Sequence, residues 1–193
     1  MATGTGLSVD VASGCVQGAL RAHSPNQDAR PDGARPELVV LHGISLPPGV
    51  FGGGGVDALF TNTLDPAAHP FYAQIAALRV SAHLFIRRDG DLVQYVPLHR
   101  RAWHAGRSFW QGREACNDFS VGIELEGTDD HPYSEAQYSV LVPLCRALMA
   151  AYPDLGPDRI VGHCDIAPGR KTDPGPAFDW QRLWRGLAGR GDD

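Results

Sequence analysis

Apolar residues fall in short blocks along the chain, and the blocks show two periods, one suited to strands and one to helices. Leu38-Val39-Val40-Leu41 lies between Glu37 and His42, is apolar throughout and is too short for a stable helix. It predicts a buried strand with a polar residue at its exit. Ile160-Val161-Gly162-His163 has the same form. His83 to Arg88 and Leu92 to Val96 read as two strands joined by Asp89-Gly90, a dipeptide that favours a two-residue hairpin. Val121, Ile123 and Leu125 alternate with Gly122, Glu124 and Glu126, which predicts a strand with one apolar and one polar face.

The helical period occurs in three places. Pro70 can open a helix to about Leu78, with Phe71, Ile75 and Leu78 on one face. Ser134 and Gln137 form a capping box ahead of a helix to about Tyr152, in which Pro143 should introduce a kink. Asp179 can cap a last helix that turns Leu183, Trp184 and Leu187 inward and ends at Gly189. Residues 24–35 and 45–66 carry Pro, Gly, Asn and Asp and read as loops. Together these elements predict a single α/β domain over residues 15–189: a mixed β-sheet flanked by helices, with long loops at one rim. Residues 1–14 and 190–193 are expected to fray.

Composition narrows the possibilities. At 193 residues, 43% of them apolar, the chain is the size of one ordinary domain and needs no disulfide framework for its core. Its 22 acidic and 17 basic residues give a net charge of −5, and no basic run interrupts the pattern. Such a chain is a poor nucleic-acid binder, because phosphate neutralisation needs clustered Lys and Arg. No run approaches the roughly 20 apolar residues of a membrane span. The opening MATGTGLSVD has neither a basic n-region nor an apolar h-region. The expected compartment is therefore the cytoplasm, where Cys15, Cys116, Cys145 and Cys164 stay reduced.

The candidate chemistry starts from two histidines in equivalent places, His42 and His163, each at the exit of a predicted strand. The segment HCDIAPGRKTDPG (163–175) adds Asp165 and Asp173 in a loop stiffened by Pro168, Gly169 and Pro174. Two neutral imidazoles and one carboxylate suit zinc, with a fourth position left for water whose pKa falls to about 7. Lys171 is the only lysine among the 17 basic residues. A compact ammonium can approach a developing oxyanion at one point, as a planar guanidinium cannot, which makes Lys171 a candidate transition-state stabiliser. Glu124 is the candidate general base and Glu126 a structural neighbour. His83 begins a strand and could compete as a metal ligand, but it reads first as a packed, hydrogen-bonded core histidine. His104, in the loop Arg101-Ala102-Trp103-His104-Ala105-Gly106, could help grip a sugar or peptide. The four glycines at 52–55 are not a phosphate loop, since no Gly-Lys-Ser/Thr follows.

Six segments carry a resemblance to a known family: VVLHGISLPPGVFGG (39–53), DALFTNTLDPAAHP (57–70), LRVSAHLFIRRDGDLVQYVP (78–97), RAWHAG (101–106), CNDFSVGIELEGTD (116–129) and GHCDIAPGRKTDPGPAFDW (162–180). They resemble the cytoplasmic 1,6-anhydro-N-acetylmuramyl-L-alanine amidases. These form one branch of a zinc amidase family that includes phage-type amidases and peptidoglycan recognition proteins. The resemblance implies a zinc site at one rim of the sheet, one ion per chain, held by His42, His163 and Asp173, which resolves the choice between the two aspartates. It makes Glu124 the group that activates water and Lys171 the group that stabilises the oxyanion. It implies substrate contacts from Arg79, Trp103, Asn117 and Arg170. The family commonly has Asn directly after the first metal histidine; here that position is Gly43, which removes a side-chain amide from the peptide side of the site.

The implied reaction is hydrolysis of the amide between the lactyl group of 1,6-anhydro-N-acetylmuramic acid and L-alanine, in peptidoglycan recycling. The implied partners are soluble anhydro-muropeptides, with no nucleic acid, membrane or obligate protein partner. Two other readings stand beside it. One is an amidase acting on intact peptidoglycan; the other is a muropeptide-binding module without catalysis, which a complete set of zinc ligands disfavours.

Overall fold

The computed structural model describes residues 6–189. In chain order the strands are β1 (Ser8–Asp10), β2 (Cys15–Gln17), β3 (Leu20–Arg21), β4 (Gln27–Ala29), β5 (Leu38–Ile44), β6 (Leu84–Ile86), β7 (Leu92–Gln94), β8 (Arg100–Ala102), β9 (Phe109–Trp110), β10 (Arg113–Glu114), β11 (Ser120–Glu126) and β12 (Ile160–Gly162). The helices are α1 (Gly55–Phe60), α2 (Pro70–Ile75), α3 (Glu135–Ala151), α4 (His163–Ile166) and α5 (Trp180–Ala188). Six strands form the main sheet in the order β12-β5-β11-β6-β7-β3. The pairs β12–β5, β5–β11, β11–β6 and β3–β7 are parallel and β6–β7 is antiparallel, so the sheet is mixed as expected.

The continuous apolar run of β5 follows from cover on both faces. Val39 and Leu41 join Val121, Ile123 and Leu125 of β11 against Leu141, Leu144, Cys145 and Leu148 of α3 and Leu183 of α5. Leu38 and Val40 turn the other way, to Cys116, Phe119 and Ile166. Farther along that second face, Phe85 and Val93 pack with Val56, Leu59 and Phe60 of α1. β11 has the two chemically distinct faces that its alternation predicts, but its polar face is not open to water: all of its residues are buried.

Local signals hold well for the helices. Ser134 Oγ accepts from the Gln137 backbone N–H at 3.1 Å, and Gln137 Oε1 accepts from the Ser134 N–H at 2.9 Å, which completes the capping box. α3 runs on through Pro143. Asp179 Oδ1 accepts from the Arg182 N–H at 2.9 Å and caps α5.

Other expectations are corrected. α2 stops at Ile75, and Leu78 lies beyond it, exposed. Between β6 and β7 the Arg87 N–H bonds to the Asp91 carbonyl, leaving a three-residue loop, Arg88-Asp89-Gly90, instead of two. Gly90, at φ 93°, supplies the left-handed position that such a loop requires. The stretch 45–66 contains α1, and 24–35 contains β4, which pairs with β8. Within the segment expected to fray, Ser8–Asp10 pairs antiparallel with Cys15–Gln17. The expectations for residues 1–5 and 190–193 lie outside the described residues. No helix among the described residues is long and apolar enough to cross a membrane.

Candidate metal centre

Strand register assembles the site. Glu124 of β11 pairs with His42 of β5, and Gly162 of β12 pairs with Leu41. His163, one residue on, therefore stands in one row with His42 and Glu124 at the carboxyl ends of parallel strands, where such a sheet opens a crevice. His163 is the first residue of α4 and not the last of a strand. The chain after α4 folds back, with the Cys164 N–H bonded to the Asp173 carbonyl at 3.0 Å, and this brings the Asp173 carboxylate to the row.

Three ligand atoms converge. His42 Nδ1 lies 2.9 Å from His163 Nδ1 and 3.2 Å from Asp173 Oδ2, and His163 Nδ1 lies 3.1 Å from the same oxygen. His163 Nε2 faces the Ala105 carbonyl at 3.1 Å. A carbonyl only accepts, so the ring proton of neutral His163 sits on Nε2 and its Nδ1 presents a lone pair to Asp173. Lone pair and carboxylate at that distance repel unless a cation lies between them. A tetrahedral zinc about 2.0–2.1 Å from each donor sets the donors roughly 3.3 Å apart, close to what is seen. The residues present therefore fit a metal ion.

Burial sets the charges. His42 is pushed down to about 4, chiefly by burial and further by His163 and Lys171, with Asp173 opposing, so its imidazole is neutral. Glu124 is pushed well above its ordinary value by burial and by the Asp173 charge, with Lys171 acting against them. Its Oε1 is 4.0 Å from His42 Nδ1, and its Oε2 is buried without a hydrogen-bond partner. A carboxyl group with one unpartnered oxygen thus lines the same cavity as the three ligand residues.

A cavity of about 220 Å³ opens over the row, lined by His42, Gly43, Trp103, Glu124, His163, Lys171 and Asp173, with Phe60, Leu78 and Val80 on its apolar side. The structure thus brings together both candidate catalytic residues, all three candidate ligands and Trp103. Asp165 is elsewhere: its carboxylate accepts from the Gly162 N–H at 2.7 Å, capping α4. Arg79 is exposed, with its guanidinium on the carbonyls of Ala76 and Leu78. Arg170 bonds the carbonyls of Ala105 and Arg107 and borders a neighbouring cleft of about 600 Å³. Asn117 does not face the cavity: it is buried, and its side-chain oxygen accepts from the backbone N–H groups of His104 and Ala105 at 3.1 and 2.8 Å. Glu126 is structural as expected, accepting from the N–H groups of Gly52 and Arg88. His83 is fully buried, accepts from the Gly122 N–H and lies 3.0 Å from the Arg100 carbonyl.

Two more residues neighbour the row, and of these Tyr133 carried no sequence signal. His104 lines the same cavity, and its Nδ1 lies 3.0 Å from His42 Nε2, on the far side of that ring from the other ligands. The signal was Gly122, where a Cβ would collide with the His104 ring. Tyr133 donates its hydroxyl to the Pro174 carbonyl at 3.0 Å, bracing the residue after Asp173.

Sheet order and ligand row define the class of protein. The family described as N-acetylmuramoyl-L-alanine amidase matches residues 32–176, and the chain belongs to that family. It is similar to the 1,6-anhydro-N-acetylmuramyl-L-alanine amidase AmpD of Escherichia coli strain K12, with 64% identity over 170 residues, 88% of this chain and 92% of that one. The corresponding Haemophilus influenzae protein is 51% identical over 173 residues, 90% of this chain and 94% of its own. A crystal structure of a selenomethionine AmpD derivative superposes with a TM-score of 0.89 at 57% identity, over 93% of this chain and 98% of that one. The Escherichia coli amidase AmiD, solved with anhydro-N-acetylmuramic acid-L-Ala-D-gamma-Glu-L-Lys, gives a TM-score of 0.58 at 28% identity, over 95% of this chain and 66% of that one.

Proposed function

We propose that the chain is a zinc-dependent amidase that cleaves the bond between the lactyl group of 1,6-anhydro-N-acetylmuramic acid and L-alanine, acting on soluble muropeptides in cytoplasmic peptidoglycan recycling. The observation that carries this is the row His163–His42–Glu124 with Asp173 folded onto it, in a chain similar over most of its length to amidases of that name. His42, His163 and Asp173 would hold the zinc. When bound, zinc polarises the scissile carbonyl and lowers the pKa of water at the site to about 7.

The chain's own groups do the rest. Glu124, buried and raised in pKa, takes the proton of the attacking water through its unpartnered oxygen. The new C–O bond forms as the carbonyl electrons move to oxygen, and the Lys171 ammonium at the cavity wall stabilises that charge. Glu124 then gives its proton to the leaving amine as the C–N bond breaks, releasing the peptide. Trp103 offers an apolar wall to the sugar or lactyl group, and Arg79 and Arg170 offer positive charge to peptide carboxylates beyond it. Asn117 has its oxygen committed to backbone and is not assigned a substrate contact.

The test is mass spectrometry of anhydro-muramyl-tripeptide and of intact sacculi, each incubated with zinc-loaded chain and with a chelator-treated control. Release of free tripeptide from the soluble fragment, only with zinc, is expected. Cleavage of sacculi alone would move the substrate to intact wall. Binding of the fragment without release would leave a receptor.

A further inference from the structure

We propose that His104 is a positioning residue that fixes His42 as an Nδ1 metal ligand through a three-link hydrogen-bond relay ending on a backbone carbonyl. The relay rests on the reading of His42, His163 and Asp173 as a zinc site, and it adds to that reading how one ligand is oriented.

Hydrogen-bond direction can be followed from one end to the other. Ser120 Oγ lies 2.6 Å from the Cys116 carbonyl oxygen, which can only accept, so the single hydroxyl proton points there. His104 Nε2 lies 3.1 Å from the same Oγ. With its proton committed, the hydroxyl offers His104 a lone pair, and Nε2 must carry the ring proton. A neutral imidazole has one such proton, so His104 Nδ1 is an acceptor. That nitrogen is 3.0 Å from His42 Nε2. His42 must then donate from Nε2, which leaves its Nδ1 lone pair directed at His163 Nδ1 and Asp173 Oδ2. The tautomer a metal needs is thus dictated from the Cys116 carbonyl, in the turn ahead of β11.

The fold holds this relay rigidly. Gly122 leaves the space that the His104 ring fills, and any Cβ there would collide with it. The His104 ring meets the His42 ring edge-on at 5.0 Å, with an interplanar angle of 86°. Asn117 grips the backbone on either side of the ring, and the same loop presents the Ala105 carbonyl that takes the His163 ring proton. Groups behind a metal ligand that orient it in this way typically contribute about 10- to 100-fold in metal affinity.

Two measurements test it. In two-bond 1H–15N correlation spectra of the unaltered chain, with and without zinc, His104 and His42 should each carry the proton on Nε2. A His104 proton on Nδ1 would overturn the proposal without any variant. Zinc competition against a chromophoric chelator should show His104→Phe weakened by about 10- to 100-fold and His104→Gln, which keeps an acceptor and a donor, closer to the unaltered chain. A folded His104→Phe chain with zinc affinity within about twofold of the unaltered one would overturn the proposal. Failure of the unaltered chain to bind zinc would overturn the metal-site reading instead, and the spectra of the metal-free chain would still decide the relay.

Discussion

Gly43 shows how little room the ligand row leaves. A Cβ at this position would collide with the Tyr133 hydroxyl, which is bonded to the carbonyl of Pro174 beside Asp173. The aromatic hydroxyl here lies against bare backbone. Gly43→Ala should cost about 1–3 kcal/mol, the usual range for overpacking, and much of that loss should vanish in a Tyr133→Phe background. Urea unfolding of the four proteins of this cycle measures the coupling. His83 makes a second prediction at this scale. Burial first, then Arg30, pushes its pKa from 6.5 down to about 3. The unfolded chain therefore binds a proton that the folded chain refuses, and stability falls as pH drops from 6.5 toward 3. At pH 5 this one group removes about 2 kcal/mol relative to neutral pH. Chemical denaturation at the two pH values should show that difference shrinking in His83→Phe. An unchanged pH slope would contradict the neutral, buried assignment.

At the scale of elements, the chemistry was legible wherever residue type and period agreed. β5 and β12 were readable as strands with polar exits, and so the two histidines could be paired before any coordinates. The row itself needed register, which no single strand reveals: Glu124 stands beside His42 because β11 and β5 pair in parallel at that residue. α1 was hidden by the glycines at 52–55 and by its length of six residues, too short to display a helical period. β1 and β4 are three residues each and are held by their partners, not by their own alternation. Asn117 was legible as a polar residue of a family-like segment, yet its work is to pin residues 104 and 105. Asn117→Ala should therefore lower zinc affinity and melting temperature together. A rise in KM at unchanged zinc affinity would instead make it a substrate contact.

The whole molecule places a nearly solid sheet between two layers and leaves chemistry to one end of it. One face is closed by α3 and α5, the other by α1 and the loops around residues 103–119. His42, His163 and Glu124 are all held at less than 10% exposure on that second face, which explains why a polar strand face could not be distinguished from a solvated one by sequence alone. Zinc held by the assembled row would stabilise the fold by mass action, about 4 kcal/mol when free zinc is 1,000 times its Kd. Unfolding midpoints measured in zinc and in chelator should differ accordingly, and coincident midpoints would mean that the row does not hold the ion.

If one row of residues both holds zinc and runs the hydrolysis, the roles within it should separate. The direct measurement is bound zinc per chain and turnover of anhydro-muramyl-tripeptide on the same samples of four proteins: unaltered, Asp173→Ala, Glu124→Gln and Lys171→Ala. Asp173→Ala should lose both zinc and turnover. Glu124→Gln should keep zinc while turnover falls by about 10²- to 10⁴-fold, and Lys171→Ala should keep zinc while it falls by about 10²- to 10³-fold. Full turnover in zinc-loaded Glu124→Gln, or turnover in Asp173→Ala without zinc, would contradict these roles.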